Sequence, residues 1–467
     1  MKVLLATFWS YPLVSGVSSY LDQLKHGLKQ RGHEVDVFAH GHGSVFHLFQ
    51  KKVLHHQTIS RPLSTKISDV YRTHGLSIDP WIRKYEVDRY SYELAALYFN
   101  LSQYDLIHTQ DVVSTYAMAR VKPKHVPLVA TIHGCFTRES GMDPKRNPLF
   151  WNYYATLEQC GASSSDVTLT PTHWLKNMLV RDFCVPRHHI TVVPYGIDIR
   201  AFSSKASEPS DVTVPANKTI IVCSARLSRV KGHLTLIEAL HELKKRRTDW
   251  LCLLLGDGSL RKQLEQNCKL YNLHEHVMFM GNRKDVPAIL RKADIFVLPS
   301  LFDNHPYAVM EAHVAGMAVV ATDAGGIPEM VSHGETGLIS PRGHSHALAQ
   351  NIERLLRDKP LRHQLARNAR MLAKTKWEIS NMLKRIETIY RNVLLEGGDH
   401  VNHQGQSNVS PFSIDLSKLG GGSIVWQKII SALPENYSIP DPHFIQMMKE
   451  YQRIKHKGLN NRQLNAR

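Results

Sequence analysis

Short apolar runs alternate with helical patterns along most of this 467-residue chain, and the alternation occurs in two successive halves. In the first half the strand-like runs span 2–8, 34–39, 105–108, 126–132, 166–170 and 190–193. In the second half they span 219–225, 250–255, 277–280, 294–298, 318–322 and 337–339. Strands that alternate with helices predict a parallel sheet covered by helices. The sequence therefore predicts an α/β fold with two domains of the same kind.

A segment at 205–218 that is rich in Ser, Pro, Asp and Ala interrupts the alternation and predicts a linker. We expect an N-terminal Rossmann-like domain over 1–204 and a C-terminal one over 219–377, facing each other across a cleft. An amphipathic helix over 378–395 is long enough to cross between the domains. Residues 396–467 contain glycine runs and polar stretches, so we expect a partly disordered polar tail with one short helix and no fold of its own.

The formal net charge is +17, from 58 Lys and Arg against 41 Asp and Glu. Basic residues concentrate over 350–395, where there are eleven against four acidic ones, and over 445–467, where there are six against one. No stretch interleaves basic with aromatic residues as an RNA-recognition sheet does, so we expect no nucleic-acid partner. Solvated helix faces are the simplest explanation of the charge, and attachment to an anionic membrane surface is the functional alternative.

Several further features indicate where the protein resides. No run of 18 apolar residues occurs, and the apolar start at 3–9 is too short for a signal sequence. The six cysteines lack C-x-x-C spacing, which favours buried free thiols in a reducing compartment. The 28 histidines show no metal-ligand spacing, so we expect no metal. We predict a cytoplasmic protein, with peripheral attachment to the inner face of a membrane as an extension of that prediction.

The residues DNHPYAVME place Asp303 and Glu311 around the start of a predicted helix that follows the apolar run 294–298. Pro306 suits the first turn of this helix. The free N–H groups and the positive dipole end of a helix suit a phosphate, and Glu311, little more than one turn further on, can reach a sugar hydroxyl. In an open α/β sheet the carboxyl ends of the strands are where ligands bind.

Two cations converge near another predicted helix start in the second half. Arg226 follows the run 219–225, and Lys231 lies just before Gly232 and an apolar helix. Fixed cations stabilise the negative charge that grows on a diphosphate as its bond to a sugar breaks, without requiring a metal. Taken alone, the pair is also compatible with ordinary surface residues at a strand end.

Gly325 and Gly326, followed by Glu329, form a glycine loop after the run 318–322. Glycines allow backbone N–H groups to approach a phosphate or sugar closely, and an ordinary turn is the alternative. The sequence therefore predicts either a second ligand-binding loop or an ordinary turn at these glycines.

The first half offers two candidates at predicted strand ends. Gly16 lies between the first apolar run and the first helix, and His133 closes a later run. A histidine at a strand end is more often structural, but its place at a carboxyl edge makes His133 a catalytic candidate.

Aromatic residues are frequent over 81–104, where they could stack on sugars, although packing in a helical core is the favoured explanation. They are Trp81, Tyr85, Tyr90, Tyr92, Tyr98, Phe99 and Tyr104.

Taken in order, these motifs resemble the family 4 glycosyltransferases of the GT-B type, which are retaining enzymes that use nucleotide sugars. The resemblance covers about residues 1–395. It also rests on Val193 to Asp198 before Phe202, Gly256-Asp257-Gly258, Phe279, Gly281, Asp294 to Ser300 and Gly334 to Leu338. Two positions depart from the family pattern: Asp303 stands where a Glu is usual, and Ser15 stands where the glycine loop commonly has its first glycine.

The resemblance implies a role for each candidate residue. Arg226 and Lys231 would bind the donor diphosphate, and Glu311 the ribose. Asp303 and the backbone of 305–307 would bind the donor sugar or its phosphate. The complete implied donor site is Gly16, Arg226, Lys231, His305, Pro306, Tyr307, Gly325, Gly326 and Glu329, and the implied catalytic residues are His133, Asp303 and Glu311.

The implied reaction moves a hexose or N-acetylhexosamine from a nucleotide diphosphate sugar, UDP being favoured over GDP, to a glycan, glycolipid or small molecule. Surface polysaccharide biosynthesis is the implied setting. The leaving phosphate would help to deprotonate the acceptor, and no cofactor is expected besides the nucleotide-sugar co-substrate. A pair of carboxylates acting as in glycoside hydrolysis would give Arg226 and Lys231 no task. Two alternatives remain: a nucleotide-sugar 2-epimerase, and a non-catalytic scaffold of the same fold.

Overall fold

The structure of the protein is a computed structural model that describes residues 1–13, 15–49, 51–139, 147–397 and 413–456. These residues form two compact units. The first unit comprises Met1–Thr170, Lys176–Val192 and the described residues from Ile386 onward, and the second comprises Pro171–Leu175 and Val193–Arg385. The predicted linker at 205–218 therefore lies within the second unit, and the predicted crossing helix is divided between the units.

An eight-stranded sheet forms the centre of the first unit, in the order β4-β3-β2-β1-β5-β6-β7-β8. Its strands are β1 (Lys2–Ser10), β2 (Glu34–Gly41), β3 (Val45–Leu48), β4 (Lys52–His55), β5 (Leu106–Thr109), β6 (Leu128–Thr131), β7 (Val167–Thr170) and β8 (Ile190–Val192). β3 and β4 pair antiparallel at one edge, and the other pairings are parallel. The strand order reverses between β1 and β5, which is the switch point where open α/β sheets bind ligands.

Helices cover this sheet because its central strands are apolar on both faces. In β1 every residue from Val3 to Phe8 is buried, as is typical of parallel strands with helices on each side. The helices are α1 (Gly16–Gln30), α2 (His56–Thr73), α3 (Pro80–Tyr98), α4 (Val112–Val121), α5 (Phe136–Glu139), α6 (Pro148–Ser163) and α7 (His173–Phe183), of which α7 begins at residues assigned to the second unit.

The second unit contains a six-stranded parallel sheet in the order β11-β10-β9-β12-β13-β14, with its switch point between β9 and β12. Its strands are β9 (Thr219–Ser224), β10 (Trp250–Leu255), β11 (Val277–Gly281), β12 (Ile295–Leu298), β13 (Ala318–Thr322) and β14 (Gly337–Ser340). All six strands predicted in each half of the sequence are therefore confirmed. The antiparallel strands β3 and β4 were not predicted.

Helices also flank the second sheet and enclose a continuous apolar core. They are α8 (Ile199–Ala206), α9 (His233–Lys244), α10 (Arg261–Leu270), α11 (Val286–Arg291), α12 (Tyr307–Ala315), α13 (Ser345–Arg357) and α14 (Lys359–Lys376). The last helix, α15 (Ile379–Glu396), begins in the second unit and continues in the first. α9 packs on α13, and their leucines meet the buried side chains of β9, β10 and β12. The core positions the loops at the carboxyl ends of β9 and β12, where the predicted donor residues lie.

Residues 413–456 fold onto the first unit, which corrects the prediction that the tail has no fold. α16 (Ile424–Ser431) packs on α3, and α17 (Pro442–His456) packs on α6. Trp426 and Phe444 are buried in these contacts. The segment is polar on average, but a few large apolar side chains at helical spacing are sufficient to hold it. α17 confirms the predicted short helix. Residues 398–412 and 457–467 of the predicted tail lie outside the described residues.

All six cysteines are among the described residues and are unpaired; Cys135, Cys223, Cys252 and Cys268 are buried. Within the described ranges no cluster of His, Cys, Asp and Glu is placed to hold a metal ion. No helix in that part of the chain has the length and apolar character needed to span a membrane.

Candidate active site

Lys231 lies in the loop between β9 and α9. The next residue, Gly232, has a φ of 68°, and a Cβ at this position would collide with the carbonyl oxygen of Pro299. The glycine therefore lets the loop after β9 approach the loop after β12. The backbone N–H of Leu301 donates to the carbonyl oxygen of Val230 at 2.8 Å and joins the two loops. They meet at the switch point of the second sheet.

This approach brings Lys231 and Asp303 into an ion pair. Lys231 Nζ lies 2.6 Å from Asp303 Oδ2, and Ser300 Oγ donates to the same oxygen at 3.0 Å. The backbone N–H of Asn304 donates to Asp303 Oδ1 at 3.1 Å. The Lys231 and Asp303 side chains are 23% and 11% exposed, so a ligand can reach the pair from solvent. An anion that bound Lys231 would leave the carboxylate held by Ser300 and Asn304.

Arg226 is exposed on the same loop as Lys231. Its guanidinium has no hydrogen-bond or ion-pair partner within the part of the chain that the structure describes. The backbone N–H of Leu227 donates to the carbonyl oxygen of Asp257 at 3.0 Å, so the Gly256-Asp257-Gly258 turn supports this loop. Arg226 is therefore a cation whose hydrogen-bonding capacity remains available to a ligand.

Glu311 lies on α12, little more than one turn after the N-cap residue Pro306. Burial raises the pKa of its carboxyl from the ordinary value of 4.5 to about 7, and Lys205 opposes the shift. No hydrogen bond or ion pair holds this carboxyl among the described residues. Near neutral pH both of its protonation states are populated, so it can accept a hydrogen bond from a ligand hydroxyl or donate one.

His305 and Tyr307 lie in the interior, with 6% and 9% of their surface exposed. The Tyr307 ring stacks on Tyr195 with centroids 5.5 Å apart, and the His305 ring lies 5.0 Å from the same tyrosine ring. Burial lowers the pKa of His305 to about 3, so its ring is neutral. The predicted donor contacts of these two residues are thereby limited to their backbone groups, next to Pro306 at the N-terminus of α12.

The glycine loop after β13 packs against the loop that carries Asp303. Gly325 has a φ of 60°, and a Cβ there would collide with the carbonyl oxygen of Asp303. A Cβ at Gly326 would collide with the carbonyl oxygen of Asn304. The N–H of Gly326 donates to the backbone carbonyl oxygen of Asp303 at 3.2 Å. These glycines have a structural task in positioning Asp303, and their contact with a donor stays a prediction.

Glu329 is engaged by the backbone. Its carboxylate accepts hydrogen bonds from the N–H groups of His173 at 2.9 Å and Trp174 at 2.6 Å. Both oxygens are therefore used within the protein, which favours a positioning role over direct binding of a donor.

Gly16 is the first residue of α1 in the first unit. Ser15 is the N-cap of this helix, and its Oγ accepts a hydrogen bond from the Ser18 N–H at 3.1 Å. The serine that departs from the family pattern thus stabilises the helix start. Within the described residues no heavy atom lies within 4 Å of the place that a Cβ on Gly16 would take. The backbone is consequently accessible next to the carboxyl end of β1.

His133 follows β6 and lies partly buried in the first unit. Its Nε2 is 3.1 Å from Gln110 Oε1, to which the protonated ring nitrogen donates, and its ring contacts Tyr20 edge to face at 4.7 Å. Burial lowers the pKa of His133 to about 3, so the imidazole is neutral. The geometry suits a fixed hydrogen-bonding group and disfavours a role as a cation.

The structure brings Lys231 and Asp303 into contact and places Glu311 in the same unit, whereas Gly16 and His133 belong to the first unit. Ser300 holds Asp303 and Gln110 holds His133, and neither was predicted as a site residue. Both are polar residues just after an apolar strand, which is the signal that selected Asp303.

Comparison with solved structures identifies the fold class. Anabaena Alr3699/HepE in complex with UDP aligns with a TM-score of 0.60 at 19% identity, covering 84% of this chain and 100% of that chain. Together with the two Rossmann-like sheets, this likeness defines a GT-B glycosyltransferase fold.

Family models agree with the fold and cover most of the sequence. The Glycosyltransferase Family 4 model matches residues 14–201, and the model of Glycosyl transferases group 1 matches residues 204–372. The chain belongs to the family 4 glycosyltransferases, and the family and fold together support a transferase.

Two relatives illustrate the range of the family. The N-acetyl-alpha-D-glucosaminyl L-malate synthase of Bacillus anthracis is 23% identical over 82% of this chain and 96% of its own length. The UDP-Gal:alpha-D-GlcNAc-diphosphoundecaprenol alpha-1,3-galactosyltransferase of Escherichia coli is 25% identical over 63% of this chain and 76% of its own length.

Proposed function

We propose that this protein is a retaining glycosyltransferase that moves a hexose or N-acetylhexosamine from a nucleotide diphosphate sugar to a glycan or lipid-linked acceptor. UDP is the favoured nucleotide, which is supported by the UDP complex of the Anabaena protein and by the UDP-sugar donor named for the Escherichia coli relative. The net charge of +17 supports attachment to an anionic membrane surface, where a lipid-linked acceptor would lie.

One observation carries the proposal: the Lys231–Asp303 pair, 2.6 Å apart at the switch point of the second sheet, with Arg226 unpaired on the same loop. The donor diphosphate would replace Asp303 as the ion-pair partner of Lys231 and would also bind Arg226. As the bond between the sugar and the diphosphate breaks, negative charge grows on the leaving phosphate, and cations that are already in place stabilise it. Asp303 would then be free to accept a hydrogen bond from the sugar.

The other residues fit the same reaction. Glu311 would bind a ribose hydroxyl, and the backbone N–H groups at the start of α12 would bind a phosphate oxygen. The acceptor would attack from the face that the leaving phosphate occupies, and that phosphate would take its proton, which retains the anomeric configuration. His133, being neutral, would orient an acceptor hydroxyl by hydrogen bonding. The proposed chemistry needs no metal, because Arg226 and Lys231 supply the positive charge.

The first test is thermal unfolding with UDP-, GDP- and ADP-sugars. A ligand at a hundred times its dissociation constant stabilises a protein by about 2.7 kcal/mol. We expect one nucleotide class to raise the melting temperature of the wild type and of Lys262→Ala, which alters an exposed lysine of α10, but not of Lys231→Ala. Transfer by Lys231→Ala should fall by about 10²–10³-fold, as after loss of one preorganised donor at a reacting oxygen.

Three outcomes would contradict the proposal. The absence of any shift in a well-folded protein would favour a non-catalytic scaffold. Formation of a C2-epimerised nucleotide sugar without an acceptor would favour a 2-epimerase. Loss of transfer in EDTA with recovery on adding a divalent metal would exclude the metal-independent mechanism.

A further inference from the structure

A continuous set of aromatic rings extends from the interior of the first unit to its surface. Trp9 contacts Phe136 with ring centroids 5.8 Å apart, and Phe136 contacts Tyr154 at 4.7 Å. Tyr154 contacts Trp81 at 5.8 Å, and Trp81 contacts Phe150 at 5.6 Å. We call these five residues the aromatic platform. They come from four separate parts of the sequence, so only the fold brings them together.

The platform is open to solvent at its two indoles. Trp9 is 38% exposed and Trp81 is 47% exposed, whereas most of the other aromatic residues of 81–104 are buried. Packing in the core, the explanation favoured from the sequence, is therefore correct for residues such as Tyr90 and Tyr92 but wrong for Trp81. Large flat side chains left in water are costly unless a ligand covers them, and exposed apolar patches commonly mark binding sites.

The platform lies where an acceptor would be expected. Trp9 is at the carboxyl end of β1, one of the two strands at the switch point of the first sheet. Phe136 begins α5, three positions after the catalytic candidate His133. Asp79 caps α3 by accepting a hydrogen bond from the Trp81 N–H at 2.8 Å, which fixes the backbone that carries this indole.

Polar atoms beneath the rings lack partners. The hydroxyl groups of Tyr85 and Tyr154 are buried and make no hydrogen bond within the described residues. Tyr154 as a whole is only 2% exposed, and its ring contacts both Phe136 and Trp81 within the platform.

We propose that the aromatic platform is an acceptor subsite that binds a pyranose ring by its C–H face. One face of many hexoses presents only C–H groups, which pack on an indole, while the hydroxyl groups project sideways to polar partners. A lipid chain fits less well, because the platform consists of flat rings and its neighbours Ser10, Arg83 and Lys84 are exposed polar residues. The inference rests on the proposed transferase function and specifies its acceptor as a glycoside.

Saturation-transfer NMR with methyl β-D-glucoside, methyl β-D-galactoside, methyl N-acetyl-β-D-glucosaminide and octyl β-D-glucoside tests the proposal. We expect ring C–H protons of at least one glycoside to be saturated in the wild type. Trp81→Leu should weaken that binding about fivefold, because leucine keeps the apolar character but removes the flat ring. Tyr98→Leu is the matched control, since Tyr98 is a partly exposed aromatic residue at the opposite end of α3.

A second variant, Trp9→Leu, should weaken binding by the same factor, so the test does not depend on one substitution. Thermal unfolding of each variant checks that it is folded. Saturation of the octyl chain alone, with equal intensity in Trp81→Leu, would identify a lipid surface and overturn the proposal. Absence of saturation for every probe would overturn it as well.

A parallel titration with UDP-glucose separates the two proposals. If the nucleotide sugar binds but no glycoside does, the platform is not an acceptor subsite and the transferase proposal stands. If glycosides bind and none of the UDP-, GDP- and ADP-sugars does, the platform is a carbohydrate site and the donor assignment is wrong.

Discussion

A set of buried charges in the first unit compensate one another, whereas the charges of the candidate site in the second unit are accessible to a ligand. In the first unit Arg89 is completely buried and pairs with Glu86 and Glu93, each at 2.9 Å. Arg120 pairs with Glu93 at 3.0 Å and with Asp441 at 2.8 Å. We call these five residues the buried charge network. Tyr71 and Tyr153 donate further hydrogen bonds to Glu86, so its charge is satisfied within the protein.

In the second unit the charges of the candidate site remain accessible to a ligand. Glu311 has no hydrogen bond or ion pair among the described residues, Arg226 is exposed without one, and Lys231 and Asp303 form a pair that solvent reaches. Charges that neutralise each other in the interior can hold a fold together but are not available to a ligand. Charges left without a partner at a switch point reduce stability and are available for binding. The buried charge network therefore stabilises the fold, whereas the accessible charges of the second unit are available for binding.

The largest expected effect comes from breaking the buried charge network. Arg89→Met should lower the free energy of unfolding by about 3–5 kcal/mol, because Glu86 and Glu93 would keep buried charges without their central partner. Urea unfolding of the variant measures this loss. Arg83→Met, on the exposed side of the same helix, is the matched control and should change little. A loss below about 1 kcal/mol in Arg89→Met would show that the network does not support the fold.

The next expected effect is an increase in the free energy of unfolding. The pKa of Glu311 is about 7 in the folded protein against an ordinary 4.5, so the folded state holds this proton more strongly. Its contribution to stability is present below pH 4.5 and is lost as the pH rises through about 7. Glu311→Gln stays neutral and should raise the free energy of unfolding at pH 8 by about 1–3 kcal/mol while abolishing transfer.

Urea unfolding at pH 8 and pH 4.5 checks this prediction. The variant and the wild type should differ at pH 8 and agree at pH 4.5. Burial also raises the pKa of Glu158 to about 7, so the difference between the two proteins is the quantity to compare. Equal stability at both pH values would mean that the Glu311 carboxyl is compensated after all.

The smallest effect concerns the edge of the network. Tyr437 Oη donates to Glu93 Oε2 at 2.8 Å, and the ring faces the Arg120 guanidinium at 4.9 Å. Tyr437→Phe keeps the ring and removes one hydrogen bond, which should cost about 1 kcal/mol because Glu93 keeps its pairs with Arg89 and Arg120. Thermal unfolding measures the change. An unchanged melting temperature would place Tyr437 outside the network.

The features that sequence analysis predicted are those with a local signal. A run such as Trp250–Leu255 is apolar throughout, so its burial between helices follows from composition alone. Lys231 and Asp303 were found because they follow such runs, and the carboxyl ends of parallel strands meet at one edge. Their direct contact was not predicted, because it depends on how Gly232 lets the two loops approach.

The features that were missed depend on distant parts of the chain. Arg120 donates to the carbonyl oxygen of Ser438, a residue 318 positions away, and no periodic pattern relates the two. His305 was predicted to bind a donor through its backbone, and the packing of its ring against Tyr195 was not predicted. Local sequence determines which strand end a residue follows, whereas the direction of its side chain depends on neighbours from elsewhere in the fold.

The return of residues 413–456 to the first unit has a consequence for how the protein is made. Arg120 leaves the ribosome long before Ser438 and Asp441, and at 5–20 residues per second the delay is roughly 15–60 s. During that interval Arg89, Glu93 and Arg120 lack Asp441 and the apolar cover of α17. The second unit, nearly continuous from Val193 to Arg385, is complete earlier. The part of the chain that is translated first is therefore the last to finish folding.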